Sequence, residues 1–423
     1  MPHEQIGMIQ FDRLTLYNGL QLIVHQDKTT PIVAVNLLYK VGARNENPDR
    51  TGFAHLFEHL MFDGSKNIHD FDHHLQVAGG ECNAFTTNDY TNYYITLPKQ
   101  NIETAFWLES DRMLELDITP EKLEIQKNVV IEEYNQRYLN KPYGDWFLIM
   151  RYLAYKRHPY MWPTIGKDTQ EIKFASLDEV NSFFYNYYAP NNAILVVAGD
   201  VETARVKALA DKWFGPIPRR DTHIAPLPVE PEQNVPQLLM LKRNEPLDAI
   251  FISFHMDSRL GDRYYATDLI SDILAGGESG RLKQHLVKEQ KTFTDVNAYI
   301  TGEIDPGLFI VEGKLSDGVT LEQAEMCICN ELRSLWEKPI SDHELTKVKN
   351  NIEVKKTISE VNVLNKAMNL AYFEMLGDAA MINTDADNYQ KVSVEDIAQT
   401  ARHLFRPQNS STLFYKSAQT SKQ

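Results

Sequence analysis

Gly52-Phe53-Ala54-His55-Leu56-Phe57-Glu58-His59-Leu60-Met61-Phe62 is an apolar run interrupted by two imidazoles and one carboxylate. Read as a helix, it sets His55 and His59 one above the other, because residues four apart share a face. Glu58 reaches the same space without having to be a ligand. Polar side chains on an otherwise apolar helix need partners, since unpaired ones are costly to bury. One metal ion satisfies both histidines at once, and Thr51 is the expected cap of the helix. The order H-x-x-E-H is the inverse of the zinc-binding H-E-x-x-H.

A four-coordinate catalytic zinc has three protein ligands and an open position for water. The third ligand is expected in Gln126-Lys127-Asn128-Val129-Val130-Ile131-Glu132-Glu133, on a helix that begins near Thr119-Pro120-Glu121. Helical geometry puts Glu133 on the side of Val129 and Val130 and turns Glu132 toward solvent. Glu133 is therefore the inward carboxylate.

Together with Gly79-Gly80-Glu81-Cys82-Asn83-Ala84-Phe85-Thr86, Asp89-Tyr90-Thr91-Asn92-Tyr93-Tyr94, Glu109-Ser110-Asp111-Arg112-Met113, His158-Pro159-Tyr160 and Tyr188-Ala189-Pro190-Asn191-Asn192, these residues resemble the M16 metallopeptidases. That group includes pitrilysin, insulin-degrading enzyme and mitochondrial processing peptidase, and the likeness covers nearly the whole chain. Length and two-part organisation are most like the bacterial branch, whose chains are about half the size of pitrilysin. The resemblance implies an α+β fold of two homologous sheet-and-helix halves, together forming one half of a clam-shell peptidase chamber. It also implies one zinc ion per chain, held by His55, His59 and Glu133, with Glu58 as general base. Zinc would activate water and polarise a peptide carbonyl, while Glu58 takes the proton and later passes it to the leaving amine.

Asn83, Ala84 and Thr86 look like part of the family's strand that pairs with substrate, where main-chain hydrogen bonds bind peptides of almost any sequence. Cys82 beside them has no partner spaced for a metal site and reads as a packed thiol. Two departures stand out. Seven residues before the ligand glutamate the family often has another glutamate; here it is Gln126, expected to hydrogen-bond a ligand or its neighbour and tune the site. The family's active members also commonly use an arginine and a tyrosine seven residues apart in the C-terminal half. In Leu286-Val287-Lys288-Glu289-Gln290-Lys291-Thr292-Phe293-Thr294 those positions hold Val287 and Thr294, which can do neither job. A shift of one residue offers Lys288 without a tyrosine, and Arg281 and Tyr299 have the wrong spacing. The expectation is a zinc-bearing subunit whose M16-like partner supplies the Arg/Tyr pair, against the alternatives of a self-sufficient homodimer or a non-enzymatic structural subunit.

The 423 residues carry a net charge of −15 and are 43% hydrophobic, enough for two substantial cores and opposed to nucleic-acid binding. No apolar run reaches membrane-spanning length. Three cysteines make no disulfide framework, and Met1-Pro2-His3-Glu4-Gln5-Ile6 lacks signal-peptide character, so the expected location is the cytoplasm, with a periplasmic protein whose signal has been removed as the alternative. Breakers from Gly215-Pro216 to Pro231 divide the chain into an expected zinc-bearing domain 1–215, a Pro-rich linker 216–235 and a homologous non-catalytic domain 236–423. The halves look like distant copies, with Gly79-Gly80 matched to Gly276-Gly277. His285 reads as a structural or surface histidine, since no second H-x-x-E-H accompanies it.

Overall fold

The computed structural model describes residues 8–222, 224–338 and 340–418. Met1 to Ile6, on which the signal-peptide expectation rested, lie outside them. The fold is α+β, with two compact units that interleave along the chain. One comprises residues 1–134, 162–227 and 356–385; the other comprises 135–161, 228–355 and 386–423. The connector expected at 216–235 does hold one crossing point, between Leu227 and Pro228. A single cut there nevertheless fails to separate the units, because each takes a segment from the other side of the connector.

The first unit is built on six strands: β1 Asp12–Thr15, β2 Gln21–Gln26, β3 Ile32–Tyr39, β4 Glu81–Thr86, β5 Thr91–Pro98 and β6 Ala193–Gly199. Their order is β1-β2-β6-β3-β5-β4, with β2 and β6 parallel and β4 on an edge. β6 is wholly buried and reads Ala-Ile-Leu-Val-Val-Ala-Gly, the continuous apolar pattern of a strand covered on both faces. One face packs Ile23, Ala34, Leu38, Ile194, Val196 and Ala198 against the helix Val363–Leu376. The segment bearing this helix comes from the far end of the chain.

The second unit has five strands: β7 Gln237–Arg243, β8 Ala249–His255, β9 Phe293–Ile300, β10 Leu308–Leu315 and β11 Ser410–Ser417. They run β7-β11-β8-β10-β9, with β7 and β11 parallel and β9 on an edge. Apart from the extra β1, this is the strand order and pairing sense of the first unit, so the two are copies of one plan. One sheet face meets the apolar sides of the helices Tyr264–Ala275, Leu321–Glu337 and Val394–Leu404. On the other, Ala249, Phe251, Leu413 and Tyr415 meet Tyr143, Trp146 and Met150, the last two on the helix Trp146–Ala154.

The sequence matched the wrong glycines between the copies. Gly79 and Gly80 lead directly into β4, and Gly79 has φ 66°. Gly276 and Gly277 instead lie beyond a π-helical segment, Lys283–Glu289, from β9. The counterpart of Gly79 is Lys291, also two residues before its strand and also left-handed, with φ 58°.

Candidate metal centre

The helix Phe53–Leu60 begins as its sequence requires but is capped differently from expectation. Gly52, at φ 89°, is the N-cap and offers no side-chain bond. A Cβ there would lie 2.7 Å from both the Ile165 carbonyl oxygen and Ile172 Cδ1, so the position excludes larger residues. Thr51 turns away and gives its hydroxyl to Glu171 Oε2 at 2.6 Å. Glu46 takes over the capping: its two carboxylate oxygens accept the Gly52 and Ala54 backbone N–H groups, each at 2.8 Å. Burial pushes this carboxyl up to about 8, against the pull of those two N–H groups. An acidic residue in the turn-rich Asn45-Glu46-Asn47 stretch, ahead of a helix whose cap is glycine, was the available signal for it.

His55 and His59 project from one face of this helix, with ring centroids 4.9 Å apart. The helix Pro120–Tyr134, starting where the sequence placed it, brings Glu133 between them. Glu133 Oε2 lies 3.5 Å from His55 Nε2 and 3.5 Å from His59 Nε2. Glu132 is exposed and Glu133 half-buried, as helical geometry predicted; Val129 is exposed rather than inward, leaving Val130 to pack. Tetrahedral zinc with bonds of about 2.0–2.2 Å sets neighbouring donor atoms roughly 3.3–3.6 Å apart, and both separations from Glu133 fall in that range. Among the described residues this trio is the one group of three or more His, Cys, Asp or Glu side chains close enough to hold a metal, its donor atoms lying within 4.8 Å of one another.

Glu58, on the same helix, accepts the Thr86 hydroxyl at 2.7 Å. Burial raises its carboxyl above the ordinary range; the Thr86 bond and His59 oppose this, and the charge of Glu133 adds to it.

Asn83, Ala84 and Thr86 lie on β4, the edge strand expected to pair with a peptide, and β4 is bonded on one side to β5. Cys82 is half-buried, and burial pushes its thiol up to about 11, as befits a packed, unreactive group. Gln126 lies on the same helix as Glu133. Its amide donates to both oxygens of Asp63, at 2.8 and 2.9 Å, and to none of His55, His59 or Glu133. Asp63 follows the helix Phe53–Leu60 in a loop that Asp111 also ties down by accepting Asn67 Nδ2 at 2.6 Å, so Gln126 braces that loop.

In the second unit, Val287 packs at the margin of the core and Thr294 gives its hydroxyl to the Lys314 carbonyl at 3.2 Å. Lys288 faces Glu278 at 3.2 Å, and Arg281 is committed to both oxygens of Glu344 at 2.8 Å. His285 bonds Glu331 at 2.9 Å, the structural role its isolation suggested.

Comparison with known proteins settles the family. Residues 22–143 match the profile described as Insulinase (Peptidase family M16), and residues 175–352 match that of the Peptidase M16 inactive domain. The chain belongs to peptidase family M16. It is 28% identical to the zinc protease PqqE of Helicobacter pylori, over 98% of this chain and 94% of that one. It is 24% identical to the uncharacterized zinc protease YmxG of Bacillus subtilis, over 93% and 95%. A protease from Helicobacter pylori of known crystal structure superposes with a TM-score of 0.91 at 27% identity, covering 96% of this chain and 99% of that one. The periplasmic protease PqqL of Escherichia coli shares the fold, with a TM-score of 0.79 at 17% identity; 97% of this chain matches 48% of PqqL. The chain thus matches nearly the full length of these two zinc-protease relatives and about half of PqqL. No helix among the described residues is long and apolar enough to cross a membrane.

Proposed function

We propose that this chain is a zinc-dependent endopeptidase for peptides or unfolded polypeptides, with His55, His59 and Glu133 as ligands and Glu58 as general base. The observation that carries the reading is the pair of 3.5 Å separations from Glu133 to the two imidazoles, with Glu58 on the same helix as those imidazoles. Zinc, when bound, supplies an activated water and polarises the carbonyl under attack. Glu58 would accept the proton and return it to the leaving amine. Asn83, Ala84 and Thr86 on the edge strand would align the peptide backbone, which accounts for an expected breadth of substrate.

The same reading makes the chain the zinc-bearing member of a pair. Val287 and Thr294 offer no arginine fork and no phenol, so an M16-like partner would supply them. Missing one transition-state contact typically costs ~10²-fold or more in rate, so the purified chain alone should be slow. The free cysteines fit a reducing compartment, and cytoplasmic residence belongs to this proposal; cell fractionation tests it. The central experiment measures zinc content and chelator-sensitive cleavage of an unstructured peptide, alone and with a candidate partner subunit. Glu58→Gln should keep the zinc and abolish cleavage. Near-normal turnover in that variant would remove Glu58 from the mechanism, and full activity of the purified chain would remove the need for a partner.

A further inference from the structure

We infer that Thr86 is a positioning residue for Glu58, fixing the carboxylate to the end of the edge strand. The inference rests on the proposed role of Glu58 and adds a task for Thr86 beyond backbone pairing with peptide.

The Thr86 hydroxyl stands 2.7 Å from Glu58 Oε2 and 3.5 Å from the Ala54 carbonyl oxygen. A hydroxyl has one proton to give, and the shorter contact, to a carboxylate, takes it. Thr86 cannot easily drift, because it pairs with Thr91 at the last rung of the β4–β5 ladder. Beyond it, the Thr87 hydroxyl accepts the backbone N–H groups of Asp89 and Tyr90, at 3.1 and 3.0 Å, closing the hairpin.

Glu58 would otherwise be a long side chain with several rotamers on a helix of eight residues. The bond from Thr86 selects one. Oε2 is held toward the strand, leaving Oε1 to meet the proton that the reaction must move. Thr86 also lies on the strand proposed to pair with peptide, so the orientation of the base and the alignment of the substrate share one rigid support. Valine keeps the shape of threonine and lacks the donor; serine keeps the donor and lacks the methyl group.

The test compares Thr86→Val and Thr86→Ser in the zinc-loaded chain, assayed with whichever partner gives the wild type its highest rate. Thr86→Val should lower kcat roughly 10- to 100-fold, as expected for losing a hydrogen bond to a charged group. It should leave KM within ~3-fold and zinc content unchanged, and Thr86→Ser should restore most of the rate. A rise in KM at constant kcat would overturn the inference and leave Thr86 as a peptide-pairing residue only. Loss of rate equal in both variants would also overturn it, since the variant that keeps the hydroxyl donor would then fare no better than the one that lacks it.

A second measurement needs no turnover. Infrared difference spectra of metal-free protein, each variant against the same chain carrying Glu58→Gln, isolate the Glu58 carboxylate bands. These should shift in Thr86→Val and stay in place in Thr86→Ser. Unchanged bands in Thr86→Val would overturn the bond itself. If the bands shift but no peptide is cleaved by the wild type, the endopeptidase reading fails and the catalytic consequence of this bond falls with it.

Discussion

After β3 the first unit places the helix Phe53–Leu60, with His55, Glu58 and His59 on it. At the corresponding point after β8, the second unit places the helix Tyr264–Ala275, whose buried face is Leu269, Ile270, Ile273 and Leu274 with Tyr264, Ala266, Thr267 and Ser271. Strand order and pairing sense are shared, yet one helix carries two members of the candidate metal trio and the other carries core. The backbone plan therefore does not create the chemistry. The candidate chemistry lies in a few polar side chains on two helices, with Glu46 capping one helix and Thr86 bonding Glu58.

The strongest way to break this contrast is to remove a ligand. Glu133→Ala should lower zinc affinity by more than ~10²-fold, beyond the 10- to 100-fold usual for outer partners. Glu132→Ala, one residue away and exposed, should leave it nearly unchanged. A metal titration giving the reverse order would relocate the site.

Next in size are changes to the helices that the two halves exchange. Leu370, facing the first sheet, and Met150, facing the second, are both fully buried. Leu370→Ala and Met150→Ala should each cost ~2–5 kcal/mol in denaturant unfolding. If the units melt separately, each substitution should move a different transition; a shift of the wrong one would contradict the interleaved division.

A smaller effect distinguishes the units by pH. In the folded chain the Glu46 carboxyl stands at about 8, against an ordinary value of 4.5. Between those values the folded state retains a proton that the unfolded chain has released, so stability falls as pH rises, by at most ~1.4 kcal/mol per pH unit. Glu171, whose charge contributes to the shift, accentuates the slope. Glu46→Gln should flatten it between roughly pH 5 and 8 in urea titrations. Parallel slopes in variant and wild type would show that the carboxyl titrates normally.

The smallest test concerns the two left-handed residues that precede β4 and β9. Gly79→Ala should cost ~1 kcal/mol or less, for the backbone alone, because a Cβ there would meet only Pro98 atoms at 3.8 and 3.9 Å. Lys291→Gly should gain about as much by relieving the same conformation. Equal and opposite changes in unfolding free energy would confirm the match between these positions, and effects of the same sign would break it.

Much of this was legible in sequence because local periodicity encodes it. His55, His59 and Glu133 follow from helical spacing, and the strands around Ile23, Val35, Val196 and Ile252 from short β-rich apolar runs. What the sequence hid depends on distant segments. Glu46 caps a helix expected to be capped by Thr51; the partner of Gln126 is Asp63, on a loop the spacing does not single out; and the two helices that cover the opposite sheets carry no mark of which half they serve. Gly276-Gly277 misled because a glycine pair suggests a turn without saying which strand follows it.

The exchange of helices gives the chain the topology of a domain-swapped dimer closed into a single polypeptide. Trp146–Ala154 leaves the first half to seal the second sheet, and Val363–Leu376 returns the favour. Severing the chain within 216–235 would therefore yield fragments that are each a host without its guest helix, able to complete their cores only by finding one another. The connector's service is then kinetic: it holds the two guests at high effective concentration while the sheets that need them assemble.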